Sequence, residues 1–103
     1  MTATITATLH IEIGHHEIVY GTDDARRNPV ALAVLSAVLM QPWPWECLWP
    51  TVCAVYETVT VDGRYRAPLP DHVADALSAW VAEGVRMTPL TFDLTFEEYH
   101  RAA

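Results

Sequence analysis

Apolar and polar residues alternate without a break from Thr2 to Ile13. Ala3, Ile5, Ala7, Leu9, Ile11 and Ile13 fall on one side, and Thr2, Thr4, Thr6, Thr8, His10 and Glu12 on the other. A period of two marks a strand with one buried face, and Gly14 closes it. Its polar stripe is mostly threonine, which guards an exposed edge less well than charge does. The strand is therefore expected to be paired on both sides or to be short. Residues 15–27 are polar apart from Ile18, Val19 and Tyr20, and read as a long connection with at most a short strand or turn.

The pattern changes at Asn28. From Pro29 to Met40 almost every position is apolar, too long a run for one strand and well short of the ~20 residues a membrane span needs. Asn28 can accept a hydrogen bond from a first-turn N–H, and Pro29 sits where a missing N–H costs nothing. A core helix over 29–40 is predicted, with Leu35 inside. Being apolar around nearly its whole circumference, it needs a sheet on one side and loops or a partner chain on the other.

Residues 41–50 hold three prolines and three tryptophans, so they form an irregular loop that has to dock somewhere. Strands follow over Val52–Tyr56 and Thr58–Val61. Asp62-Gly63 supplies the two positive-φ positions of a type I′ turn into Arg64-Tyr65-Arg66. A second helix opens at Leu69-Pro70-Asp71, buries Val73, Leu77, Trp80 and Val81, and ends at Gly84. Leu90, Phe92, Leu94 and Phe96 alternate with Thr91, Asp93 and Thr95 in a last strand, leaving 97–103 as a polar tail. The order β-α-β-β-β-α-β over residues 1–103 predicts a single α+β domain, both helices packed on a mostly antiparallel sheet.

Charge narrows the partners. Thirteen acidic side chains against six basic ones give −7, which opposes attraction to nucleic acid or anionic lipid. All six basic residues are arginine, a usage that fits coding in a GC-rich genome. The N-terminus has no continuous apolar segment of the secretory kind, so a reducing cytoplasm is expected, with Cys47 and Cys53 as free thiols.

Candidate chemistry is sparse. His15, His16, Asp23 and Asp24, with His10 and Glu17, offer imidazole and carboxylate donors for zinc or iron, but not at a ligating spacing. Cys47 or Cys53 could pair with His72 or His100 as a nucleophile, yet no flanking motif activates either. Asp23-Asp24 and Glu97-Glu98 sit in polar segments. There is no phosphate loop, nucleophile elbow or dinucleotide fingerprint, so neither a catalytic residue nor a cofactor is expected.

The loop with Trp43, Trp45 and Leu48 is either a lid over the sheet or a contact surface, since tryptophan favours interface centres. For a homodimer, Trp43 or Trp45 would lie in the contact, and Trp49, next to the strand at Val52, in the monomer's own core.

Two segments carry a resemblance: His10-Ile11-x-x-Gly14 followed by Asn28-Pro29-Val30-Ala31-Leu32-Ala33, and Leu69-Pro70-x-x-Val73 followed by Gly84-x-x-x-x-Pro89-Leu90-x-Phe92-x-Leu94. Together they resemble a group of small uncharacterised bacteriophage proteins, especially of phages infecting high-GC actinobacteria. That group usually has Cys where Asn28 stands, and a shorter connection between helix and hairpin. Its His-Ile-x-x-Gly lies at a turn, which implies a first strand ending near Leu9. No activity comes with the resemblance. The reading is a non-catalytic phage accessory protein acting by contact with itself or a host protein; the alternative is a small metal-dependent enzyme or module using His15, His16, Asp23 and Asp24.

Overall fold

The computed structural model describes residues 6–46 and 49–98. They form one compact α+β domain: β1 (Thr6–Ile13), α1 (His15–Tyr20), α2 (Pro29–Met40), β2 (Val52–Val55), β3 (Thr58–Val61), β4 (Tyr65–Pro68), α3 (Asp71–Glu83) and β5 (Leu90–Glu98). The five strands make one sheet in the order β1-β5-β4-β3-β2, every neighbouring pair antiparallel. The alternation read from the sequence becomes its two faces. Leu9, Ile11, Phe92, Leu94, Phe96, Val59 and Val61 point into the core, while Thr8, His10, Glu12, Asp93 and Glu97 face out.

β1 continues to Ile13, past the turn that the resemblance implies after Leu9, because Leu9, Ile11 and Ile13 find Leu94, Phe92 and Leu90 opposite them on β5. Nor is β1 a central or short strand. Its eight described residues lie at one edge of the sheet, with β2 at the other; residues 2–5 of the expected strand lie outside the described residues. Each edge is engaged at one residue by an end of α2. At its start, Asn28 Oδ1 accepts from the Ala31 N–H at 2.8 Å as the predicted cap, while its Nδ2 donates to the Ala54 carbonyl on β2 at 2.9 Å. The Ala54 N–H is taken by the Ala25 carbonyl. At the other end Gln41 Oε1 accepts from the His10 N–H on β1 at 2.9 Å, and its Nε2 donates to the His10 carbonyl at 2.6 Å. A helix of 12 residues is about 18 Å long, which matches the width of about 19 Å expected for five strands.

Residues 15–20 form a helix where a connection was expected. Glu17 at its third position accepts from the Gly14 N–H at 3.0 Å, and Ile18 is buried beneath. The chain then passes so close to α2 that a Cβ on Gly21 would lie 2.7 Å from both the Glu17 carbonyl oxygen and Pro29 Cγ. Trp80 on α3 holds the same connection, donating from Nε1 to the Thr22 carbonyl at 2.8 Å. That leaves Trp80 half-buried and Val81 exposed, so the buried row of α3 is Val73, Ala74 and Leu77.

Asp62 and Gly63 have φ of +55° and +65°, the predicted hairpin. The preceding hairpin turns on Tyr56 and Glu57 with Tyr56 at φ +55°, a left-handed conformation that costs a side-chain-bearing residue about 1–2 kcal/mol. Gly84 ends α3 at φ +67°.

Glu97 and Glu98, expected in a polar tail, are strand residues. They pair with Arg66 and Tyr65 of β4, and their carboxylates meet Arg66 at 3.7 Å and Arg64 at 3.3 Å. Their polarity reflects a solvated strand matched to arginines; residues 99–103 lie outside the described residues.

Candidate functional site

Trp43 and Trp45, the first two tryptophans of the loop, dock on the sheet. Trp43 packs edge-on against Tyr65 and Phe96 at centroid distances of 5.6 and 5.4 Å, and Trp45 stacks on Tyr65 at 4.3 Å and 17°. Tyr65 pairs with Glu98 across the β4–β5 seam and Phe96 lies on β5 beside it, so the two tryptophans cover that seam. Trp43 Nε1 is buried without an acceptor among the described residues. Trp49 reverses the expectation placed on it: it is 90 % exposed and contributes nothing to the core. Leu48, the third residue expected at an interface, lies outside the described residues, as do Cys47 and His100.

The residues considered for metal do not converge. His10 is on the outer face of β1, where its Nδ1 pairs with Asp93 at 2.9 Å and its Nε2 lies 3.8 Å from Glu12. Asp23 and Asp24 belong to the connection that docks at Ala54, on the opposite edge of the sheet. His15 and His16 start α1 and are solvent-facing, His16 leaning on Tyr20 at 4.7 Å. No group of three His, Cys, Asp or Glu side chains suited to a metal ion occurs among the described residues. Cys53 is a free, half-buried thiol on β2, and His72 is exposed at the start of α3.

Two apolar surfaces remain. The first is the outer side of α2. Val30, Val34, Ala37 and Val38 face the core, whereas Leu32 and Leu35 are partly buried and Leu39 is 66 % exposed. Leu35, expected inside, is half-buried: it packs against the core while standing in this outer row. With Tyr20 (67 % exposed), His16 and Arg27 these leucines line a shallow groove between α1 and α2, and Met40 (82 % exposed) continues it. The spacing of Leu32, Leu35 and Leu39, three residues and then four, is that of a helix–helix seam. It was hard to single out beforehand because the opposite side of α2 is apolar as well.

The second surface is a cleft of about 170 Å³ between α3 and the β2 edge. Ala54, Val55 and Tyr56 form one wall, Leu77, Val81 and Ala82 the other, and Asp23 stands at its rim. No sequence feature marked it, since its walls come from three separate parts of the chain.

No protein-family model matches the chain, and no curated protein or solved structure is significantly similar to it. No helix among the described residues is long and apolar enough to cross a membrane.

Proposed function

We propose that this chain is a non-catalytic protein acting by protein–protein contact, and that its first contact is with a second copy of itself through the outer row of α2. The observation that carries this is the outer row of α2, where exposed Leu39 and Met40 continue the half-buried Leu32 and Leu35 beside exposed Tyr20. Leucines at a 3-4 spacing are matched by another helix bearing the same row. A two-fold axis near Leu35 sets Leu32 of each copy against Leu39 of the other and buries the patch twice. In that antiparallel arrangement Arg27, just before α2, meets the carbonyl end of the other copy's helix, the favourable end for a cation.

The phage resemblance and the acidic charge fit an accessory protein in the cytoplasm of an infected bacterium, where such a dimer would present two copies of any further surface. Sedimentation velocity at micromolar concentration tests the reading. Wild type is expected as a dimer, and Leu39→Glu as a monomer that still melts cooperatively. A wild-type monomer would overturn self-association, and a dimer that survives Leu39→Glu would overturn the choice of α2.

A further inference from the structure

We infer that the cleft between α3 and the β2 edge binds a basic segment of a partner protein, seating one large apolar side chain between flanking Lys or Arg residues. This extends the reading of the chain as a contact protein and names the chemistry of a partner other than itself.

The cleft is shaped for an anchor. Its volume of about 170 Å³ is close to the ~150 Å³ that accommodates a benzene-sized ring. Its walls are aliphatic, and at its mouth Tyr56 is 80 % exposed and held in the left-handed region. Strained residues of this kind concentrate at ligand clamps, and tyrosine is among the side chains that carry most interface energy.

The charges around it select the flanks. Asp23 is the only charged residue in the lining. Glu57 adjoins Tyr56, and Asp71 and Asp75 continue along α3 the row that Ser78 and Ala82 begin, at i, i+4, i+7 and i+11. None of Asp23, Glu57, Asp71 or Asp75 is ion-paired among the described residues. Arg64 and Arg66 are engaged at the β4–β5 seam, and Arg86 shares the neighbouring depression with Asp23. Arg26 and Arg27 follow Asp23 on its connection, Arg27 in the groove beside α2, so the acidic side of the cleft is the one formed by Glu57, Asp71 and Asp75. An apolar slot with Asp23 in its lining and Glu57, Asp71 and Asp75 on the adjoining turn and helix row attracts a cationic chain and repels nucleic acid and anionic lipid.

The test is a titration of the ¹⁵N-labelled full chain with the peptide acetyl-Lys-Arg-Phe-Arg-Lys-amide, followed by amide chemical shifts. Perturbations are expected at Ala54–Tyr56 and Leu77–Ala82. Replacing Phe by Ala in the peptide should weaken binding on the order of tenfold, and added salt should weaken both peptides. Ala82→Trp, which fills the slot from an exposed wall position, should abolish the difference between the two peptides. Equal affinity for both peptides on wild type, or shifts centred on the outer sheet face at Glu12, Asp93 and Glu97, would overturn the proposal. Repeating the titration with Leu39→Glu separates the two readings: a cleft that fails while Leu39→Glu still splits the dimer leaves the self-contact standing.

Discussion

The side chain of Gln41 pairs with the backbone of His10 as a neighbouring strand would, accepting from its N–H and donating to its carbonyl. Asn28 does half of the same at the Ala54 carbonyl on the other edge, where Ala25 completes the pair. The two residues flanking one helix thus each occupy a position on an open edge of its own sheet, His10 on β1 and Ala54 on β2, which interrupts the free edges as templates for edge-to-edge pairing. Gln41→Ala is expected to cost about 1–2 kcal/mol, the net worth of two partly solvated hydrogen bonds. Hydrogen exchange at the His10 amide should accelerate more than at Leu9 or Ile11, whose amides belong to the β5 ladder; uniform acceleration along β1 would mean that Gln41 acts only through global stability.

Asn28 is fully buried and carries two jobs on one side chain. A helix cap alone is worth about 1 kcal/mol, but Asn28→Ala also strands the Ala54 carbonyl, so a loss of about 2–4 kcal/mol is expected in denaturant melts. Asn28→Asp keeps the acceptor, loses the donor and buries a charge. It should therefore be no better than Asn28→Ala, whereas a simple cap would tolerate it.

Gly21 permits the approach of α1 to α2. Gly21→Ala should destabilise by about 1–3 kcal/mol through overpacking against Pro29 and the Glu17 carbonyl. Thermal melts check this, with Gly63→Ala as a control whose added Cβ meets nothing within 4 Å and whose cost comes from its positive φ alone.

The tryptophans should separate by burial. Trp43→Ala removes the ring that touches Tyr65, Phe96 and Trp45 and is expected to cost about 3 kcal/mol or more. Trp49→Ala should fall within about 0.5 kcal/mol of wild type. Equal effects in urea melts would contradict this difference in docking.

What could be read in the sequence was whatever carried its own period or start residue. The alternation of β1 and β5, the Asn28-Pro29 opening of α2, the Asp62-Gly63 turn and the Gly84 stop all depend on neighbours within a few positions. The helix at His15–Tyr20 escaped notice because it buries only Ile18 and begins with a side-chain bond from Glu17. The edge position of β1 was hidden because its guard, Gln41, is remote in the chain. Trp43 and Trp49 are equivalent by composition; the path of the loop past Tyr65 distinguishes them. The outer leucine row was masked by a helix apolar on every side, and the cleft by the dispersal of its walls.

The central claim, a two-fold contact centred on Leu35, is tested most directly by disulfide trapping. In a Cys47→Ser/Cys53→Ser background, Leu35→Cys at micromolar concentration under mild oxidation should give a covalent dimer on non-reducing electrophoresis. Ser78→Cys, exposed on α3 away from the axis, should stay largely monomeric. Cross-linking of Leu35→Cys no faster than that of Ser78→Cys would contradict the account.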